Sequence, residues 1–217
     1  YYLLLSIDSN TINKKPACKI VSLDPGIRTF QTFYSPDGIA GKLGDNIIEK
    51  KLDKLLIKID NLNSVKNKVK SRTRRNIRKR QSLLTTKIKD IVTDLHWKSA
   101  DFLCKNFETI VLPKFEVKQM TKKNLERKIN RKTTRRMLIL SHYKFKEKLR
   151  YKCKQYNRNL IEVNESYTSK TCGQCGKIKV NLGGNKVYKC KGCKLECDRD
   201  YNGARNILLR LYSKLNA

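Results

Sequence analysis

The first part of the chain alternates between apolar and polar residues in short segments, which is the pattern of half-buried β-strands. This alternation and the β-branched residues predict a first strand over 18–24, CKIVSLD. Pro25-Gly26 then turns the chain, and 28–34, RTFQTFY, predicts the antiparallel return strand. A further turn leads into a third short strand near 39–43. Three consecutive strands therefore open the predicted sheet.

From Ile47 onward the apolar residues recur at intervals of three and four, which indicates helices. The remaining elements are two helical stripes, a short strand, a long helical stretch, another strand and a closing helix. They cover Ile47–Leu62, Ile77–Phe102, 108–113, about 121–156, 160–163, and the helix carrying Ala204, Ile207, Leu208 and Leu211. Strands and helices in this order predict an α/β fold, a mixed sheet with helices packed on it.

The charge of the chain points to a polyanionic partner. Among 217 residues there are 50 lysines and arginines against 19 aspartates and glutamates, which gives a formal charge of +31. Such an imbalance is typical of proteins that bind nucleic acid. No apolar run approaches the roughly 18 residues that a membrane span needs, and no signal peptide is visible. We therefore expect nucleic acid rather than membrane as the partner.

Two segments, 66–80 and 122–136, are densely basic, and acids are nearly absent from both. Within 122–136 the basic pairs repeat every four residues, so on a helix they would form one charged band, although like charges at this spacing repel. An ordinary solvated face normally mixes signs, so single-sign bands favour phosphate contacts. The predicted nucleic-acid-binding residues are Lys66, Lys68, Lys70, Arg72, Arg74, Arg75, Arg78, Lys79, Arg80, Arg127, Lys128, Arg131, Lys132, Arg135 and Arg136.

Four of the eight cysteines form two CxxC pairs separated by fourteen residues, at Cys172, Cys175, Cys190 and Cys193. In a lysine-rich chain without a secretory signal, paired knuckles of this spacing favour a structural zinc ion held by four thiolates over disulfides or redox pairs. The neighbouring glycines are expected to supply the tight turns. Cys197 is a possible alternative ligand, whereas Cys18, Cys104 and Cys153 lie among apolar residues and are predicted to be core residues. The cysteines also predict an intracellular, reducing compartment, the nucleus for a eukaryotic host and the cytoplasm otherwise.

Acidic residues are rare, so those at strand ends and helix starts are informative. Asp24 ends the first strand, Glu116 follows the strand that stops at Pro113, and Asp200 begins the last helix. Asp198, just before that helix, is interpreted as its N-cap. Three carboxylates so placed could hold the two Mg²⁺ ions of a phosphodiesterase, which activate water and stabilise the leaving oxygen. We predict Asp24, Glu116 and Asp200 as catalytic residues and magnesium ligands.

Four segments, in order, resemble the nuclease half of the TnpB family, which comprises RNA-guided endonucleases of insertion sequences that are related to type V CRISPR effectors. These segments are SLDPGIRTFQTFYSPDG, IVLPKFEVKQM, ESYTSKTCGQCG and CDRDYNGARNIL. The resemblance covers about residues 18–212, and the last two motifs are the most specific. It implies an RNase H-like RuvC fold with an inserted four-cysteine zinc ribbon and a split Asp…Glu…Asp site, in which Asp24 and Asp200 match the first and third motifs.

The second motif departs from the bacterial pattern. TnpB proteins usually carry a glutamate directly after the strand, and that position is Pro113 in this chain. Glu116 comes three residues later, in an arrangement that resembles the Fanzor branch of eukaryotes and giant viruses, where the glutamate is displaced. A proline after the strand can bend the backbone so that a later side chain reaches the metals.

The resemblance also implies a domain organisation and partners. Because Tyr1 begins inside an apolar run, we expect a wedge barrel and a recognition domain to precede the chain, and guide RNA and target DNA to be bound. The predicted domains are the barrel end at 1–10, the RuvC core at 11–167 with helical insertions at about 44–106 and 117–156, the zinc ribbon at 168–196, and the last RuvC helix at 197–217.

Three other hypotheses remain open from the sequence. The first is a catalytically decayed, transposon-derived protein that binds nucleic acid through its zinc ribbon and basic surface. The second is a ribosomal-type zinc-ribbon protein that binds RNA, although the ordered carboxylates argue against it. The third is a transposase proper, which would also use carboxylates and Mg²⁺.

Overall fold

A five-stranded mixed sheet forms the centre of the computed structural model, which describes residues 11–12, 14–115, 130–164, 168–179 and 185–215. The strand order is β3-β2-β1-β4-β5. β2 runs antiparallel to both of its neighbours, β1 and β3, while β4 and β5 run parallel to β1, as expected for a fold that returns to the sheet through helices. The strands span Cys18–Pro25 (β1), Gln31–Tyr34 (β2), Ala40–Leu43 (β3), Phe107–Pro113 (β4) and Asn159–Val163 (β5).

The helices also follow the predicted order, with one difference. A π-helical turn over Ile48–Leu52 leads into α1, and the helices span Asp53–Lys66 (α1), Ser71–Asn106 (α2), Arg131–Leu140 (α3), His142–Tyr156 (α4) and Arg199–Leu215 (α5). The continuous helix predicted up to 156 is wrong within the described residues, because Ser141 has a left-handed backbone (φ 47) that separates α3 from α4. Residues 121–129 of that prediction lie outside the described residues.

The sheet separates two apolar layers. One layer packs β1, β2 and β4 against α2 and α4 and contains Val21 and Leu23. The other packs Val111 and Val163 against Ile207 of α5. Because neighbouring side chains on a strand point to opposite faces, Ser22 and Asp24 face α5 while Val21 and Leu23 face α2 and α4. Cys18, Cys104 and Cys153 are buried, which confirms their prediction as core residues.

Both histidines of the chain lie in the layer between the sheet and α2 and α4, stacked on opposite sides of Phe30. The ring centroids are 5.1 Å apart for Phe30 and His96 and 5.2 Å for Phe30 and His142. Burial lowers the pKa of each histidine to about 4, so both are neutral near pH 7. Nδ1 of His142 lies 3.4 Å from Nε2 of Gln31, so the histidine at the start of α4 contacts the first residue of β2.

A two-stranded antiparallel sheet precedes α5 and consists of β6, Val187–Lys189, and β7, Glu196–Asp198. We call this sheet together with the two cysteine knuckles the ribbon. Of the helices in the described ranges, none is both long and apolar enough to cross a membrane.

Candidate metal centre and nucleic-acid interface

Asp24 lies against the first turns of α5. The hydroxyl of Ser22, two residues earlier on the same strand face, donates to the backbone oxygen of Ala204 at 2.7 Å, which fixes the helix over β1. Gly203 has no side chain, and a Cβ at that position would lie 2.5 Å from Oδ2 of Asp24. The glycine therefore leaves the space that the Asp24 carboxylate occupies.

Asp200 lies on the same side of α5. It precedes Gly203 by three residues, and side chains at this spacing are neighbours on a helix. Burial, and then the nearby carboxylate of Asp198, raise the pKa of Asp200 above its usual range, since both penalise the charged form. The structure thus places Asp200 in the first turn of the helix whose Gly203 lies against Asp24, 176 residues away from Asp200 in the sequence.

Asp198 has the capping role that the sequence predicted. Its Oδ1 accepts hydrogen bonds from the backbone N–H groups of Asp200 at 2.8 Å and Tyr201 at 3.4 Å. Its Oδ2 forms an ion pair of 2.7 Å with Nζ of Lys42, and the Lys42 ammonium also lies 5.3 Å from the Tyr201 ring centroid. Both carboxylate oxygens of Asp198 therefore have partners, one in the first turn of α5 and the other on Lys42.

A cleft of about 280 Å³ is lined by Asp198 and Asp200 and by Gly26, two residues after Asp24. Its wall combines three acids with four cations, so it offers both oxygen ligands and groups that attract phosphate. The charged lining residues are Asp45, Asp198, Asp200, Arg28, Lys42, Lys186 and Arg199. Asp45 and the four cations were not predicted from the sequence. Single basic residues carry little signal in a chain with 50 of them. The position of Lys42 inside a predicted strand was the available signal.

Pro113 ends the strand next to β1, two residues beyond the paired Val111. Ser22 pairs with Val111 in the parallel register of β1 and β4, so continuing the register by two residues sets Pro113 beside Asp24. Val111 belongs to the layer that packs on α5, so Pro113 faces the same side as Asp24. A side chain at position 113 is therefore well placed for the carboxylate pair. Glu116 lies outside the described residues.

The four predicted cysteines converge on one point. The Sγ atoms of Cys172, Cys175, Cys190 and Cys193 all lie within 4.8 Å of one another. The Cys172–Cys193 and Cys175–Cys190 Sγ distances are both 3.6 Å. Four sulfurs bound tetrahedrally at about 2.3 Å would be about 3.8 Å apart, so the set fits a metal ion such as zinc. Cys197, the alternative ligand, packs beside this group and does not belong to it.

The two knuckles repeat one backbone arrangement. The N–H of the first cysteine donates to the carbonyl five residues later, from Cys172 to Lys177 and from Cys190 to Leu195, each at 2.9 Å. The residue before that carbonyl is left-handed in both knuckles, Gly176 with φ 74 and Lys194 with φ 60. Glycine thus supplies the turn in the first knuckle, as expected, but lysine does so in the second.

Gly192 has a different role from the one predicted. Its N–H points at Sγ of Cys190 at 3.3 Å. Together with the N–H of Cys193 it lowers the pKa of Cys190 to about 6, because donors near sulfur stabilise the thiolate. A Cβ on Gly192 would also lie 3.0 Å from the Lys177 side chain, so the residue allows the two knuckles to approach.

Two asparagines on α5 attach the ribbon to the helix that carries Asp200. The Asn202 amide donates to the Thr171 carbonyl at 2.8 Å and accepts from the N–H of Gly173 at 2.9 Å. Asn206, one turn later, donates to the carbonyls of Thr168 at 2.8 Å and Thr171 at 2.7 Å. The ribbon and the Asp24–Asp200 pair therefore share one rigid support.

The basic segment at 66–80 forms the tip of the hairpin made by α1 and α2. Most of its side chains are exposed, as phosphate contacts require. Arg74 is an exception, because its guanidinium donates to the carbonyls of Lys66 at 3.2 Å and Val69 at 3.3 Å and so caps the end of α1. Lys66 is half-buried, and the seven exposed members are Lys68, Lys70, Arg72, Arg75, Arg78, Lys79 and Arg80.

In the second basic segment, some of the described side chains form ion pairs within the protein and others are exposed. Arg135 pairs with Asp60 at 2.7 Å, and Arg136 pairs with Asp53 and with Glu49. Both arginines therefore bind acids of α1 or of the π-helical turn before it. Arg131 and Lys132 are exposed on the first turn of α3. Arg127 and Lys128 lie outside the described residues.

Comparisons with known proteins identify relatives of the whole arrangement. Residues 142–207 match the family model described as the Cas12f1-like TNB domain. A TnpB-like protein of Acanthamoeba polyphaga mimivirus is 35% identical over 207 residues, covering 91% of this chain and 38% of that protein. The CRISPR-associated endodeoxyribonuclease Cas12f1 of Sulfoacidibacillus thermotolerans is 35% identical over 78 residues, covering 36% of this chain and 18% of that protein.

The solved structures agree with the predicted RNase H-like fold. The Cas12f1–sgRNA–target DNA complex matches with a TM-score of 0.58 and 22% identity, over 90% of this chain and 51% of that one. The chain spans about two fifths of the mimivirus relative, so it corresponds to a part of such proteins. From its sequence, its sheet order and its cysteine cluster, this chain belongs to the TnpB family.

Proposed function

We propose that the chain is the nuclease core of an RNA-guided DNA endonuclease that hydrolyses phosphodiester bonds with Mg²⁺. The observation that carries the proposal is the approach of Asp24 on β1 to the turn of α5 that holds Asp200, beside a cleft lined with cations. Relatives named as RNA-guided DNA endonucleases support the same activity. Cleavage of DNA is the reaction that unites the carboxylates with the basic surface.

The carboxylates suit magnesium. Hard oxygen ligands are those that Mg²⁺ prefers, and Asp24 and Asp200 supply them from two rigid elements. Two bound Mg²⁺ ions would supply an activated water and charge neutralisation at the leaving oxygen. Asp24, Asp200 and Glu116 are the residues that we propose as ligands.

The cations of the cleft have a separate task. Arg28 and Lys186 line the wall together with Arg199, at the first residue of α5. Their charges would orient a phosphodiester so that the scissile bond faces the carboxylates, and such contacts position the backbone without reading its sequence. The exposed basic residues at the α1–α2 tip and the start of α3 would extend this contact along a guide–target duplex.

One assay tests the proposal. We expect the purified chain to cut single-stranded DNA when Mg²⁺ is present and not when it is chelated, while Asp24→Ala binds DNA equally well and does not cut. Denaturing gels report cleavage, and anisotropy of labelled DNA reports binding. Equal cleavage by Asp24→Ala would refute the site.

The cysteine cluster is proposed to hold one structural zinc ion. Because four protein thiolates close the coordination, this ion would support folding rather than catalysis. Elemental analysis is expected to find one zinc per chain, and Cys172→Ser is expected to lose it and to unfold at least the ribbon, since ligation and local folding are coupled. Cys197→Ser is the matched control and should retain the metal. Protein prepared without chelator that contains no zinc would contradict the assignment.

A second candidate function is nucleic-acid binding without cleavage. Pro113 favours it, because a proline has no ligand atom and occupies the position beside Asp24. A parent chain that binds DNA but is inert with Mg²⁺ would support this function instead.

A further inference from the structure

A groove between α2 and α4 combines aromatic rings with lysines. It has a volume of about 440 Å³ and contains Trp97, the single tryptophan of the chain, next to the half-exposed Tyr151. The two rings meet edge to face, with centroids 5.9 Å apart. We call this surface the Trp97 face, and its other members are Lys98, Asp101, Lys144, Lys148, Lys152 and Gln155.

The lysines surround the rings. Nζ of Lys148 lies 5.4 Å and Nζ of Lys152 5.9 Å from the Trp97 ring centroid. Lys144, Lys148, Tyr151, Lys152 and Gln155 recur at helical spacing on α4, so they form one stripe about 16 Å long. The groove thus combines one ring and three lysines on α4 with the Trp97 ring on α2.

The positive charge of this face exceeds its negative charge. Asp94 pairs with Lys98 at 2.9 Å. Asp101 pairs with Lys105 at 2.5 Å and with Lys152 at 3.6 Å, and it accepts from the Tyr156 hydroxyl at 2.8 Å. Burial, and then the neighbouring ammonium of Lys144, lower the pKa of Lys148, because desolvation and like-charge repulsion both penalise its cationic form. An anion in the groove would relieve that repulsion.

The Trp97 face is distinct from the Asp24–Asp200 cleft. It belongs to the helices that pack on the Val21 and Leu23 face of the sheet, whereas the cleft lies on the α5 face. The five strands separate the two, so a change at one surface leaves the other in place.

We propose that the Trp97 face binds single-stranded nucleic acid, with bases stacked on Trp97 and Tyr151 and phosphates contacting Lys144, Lys148 and Lys152. Aromatic rings accept any base, and lysines between them follow the backbone, which is how sequence-tolerant single-strand sites work. This site is additional to the cleavage cleft and does not depend on catalysis.

Trp97 itself is the probe for the test. Titration with oligothymidylate or oligouridylate is expected to cause a saturable loss of Trp97 emission, while an abasic oligomer of equal length, which has the phosphates but no bases, leaves the emission nearly unchanged. The two base-bearing oligomers distinguish DNA from RNA. Tyr151→Ala is expected to raise the dissociation constant about fivefold or more, which corresponds to the lower end of the free energy of one base–aromatic stack. Tyr151→Phe is expected to restore the dissociation constant of the parent.

Matched controls separate this site from the others. Tyr143→Ala removes another exposed tyrosine of α4 that lies outside the groove and should bind like the parent. Asp24→Ala should retain the quenching, so the site can be present even if the proposed cleavage is absent. The proposal is overturned if labelled oligomers bind without quenching, if no oligomer binds, if the abasic oligomer or polyglutamate quenches equally, or if Tyr151→Ala binds normally.

Discussion

Asp200→Asn is expected to reduce Mg²⁺-dependent DNA cleavage by more than about 100-fold, because outer-shell partners of a metal are already worth about 10–100-fold. Asparagine keeps the size of the side chain and removes the negative charge that a divalent ion needs. Since burial and Asp198 already disfavour the charge of Asp200, its removal should not destabilise the fold. The measurement is the single-turnover cleavage rate beside the unfolding transition.

Asp198→Asn provides the matched control two residues away. Asparagine caps a helix as well as aspartate does, so the bonds to the N–H groups of Asp200 and Tyr201 can persist. The partly exposed pair with Lys42 is lost, at a cost of about 1 kcal/mol or less. We expect this variant to retain at least about a tenth of the cleavage rate. Equal losses in the two variants would mean that the helix start, rather than a metal ligand at Asp200, determines activity.

The sheet could be predicted because its signals are local. Alternation in β1 and the short turns after it place the first three strands within a few residues, since each strand face is either buried or exposed. The break between α3 and α4 had no such signal. Ser141 adopts its left-handed backbone inside a sequence that continues the helical pattern, so only the three-dimensional packing reveals it.

The candidate sites divide in the same way. Asp24 and Asp200 could be found because acids are rare, and the four cysteines because their spacing is specific. The pairing of Arg135 with Asp60 spans 75 residues, and the Trp97 face joins side chains 54 residues apart in the sequence. Contacts between separate helices leave no periodic trace in either segment, so the sequence analysis missed the Trp97 face and treated Arg135 as available for phosphate.

Glu116→Gln tests the third carboxylate, where the chain departs most from its bacterial relatives. Two carboxylates supply too little negative charge for two divalent ions, and the alternatives near β4 are poorly placed. Asp101 lies on α2, where it binds Lys105 and the Tyr156 hydroxyl of α4. Glu108 lies at the opposite end of the strand. If Glu116 is the third ligand, Glu116→Gln should reduce the cleavage rate by more than about 100-fold. Its zinc content and DNA affinity should stay near those of the parent.

Asp45→Asn is the control for that variant. Asp45 lines the cleft beside Asp200, but its carboxylate accepts from the Thr29 hydroxyl at 2.7 Å and from the Asn46 amide at 2.8 Å, and asparagine can keep part of this contact. Cleavage should fall less than about tenfold. The opposite result, an active Glu116→Gln protein and an inert Asp45→Asn protein, would assign the third carboxylate to Asp45.

Pro113→Glu combined with Glu116→Gln moves the acid to the end of the strand. If the register of Ser22 with Val111 continues for two residues, position 113 lies beside Asp24, so a glutamate at this position would point toward the carboxylate pair. The backbone is compatible, because Pro113 already pairs with Val163 as part of β4 and the next N–H, from Lys114, donates to the Val163 carbonyl at 2.8 Å. We expect the double variant to recover part of the cleavage that Glu116→Gln loses, whereas Pro113→Gln with Glu116→Gln should recover none. Equal activity in the glutamate and glutamine variants would refute a metal-binding role at this strand end, because the two side chains differ chiefly in the charge that a divalent ion requires.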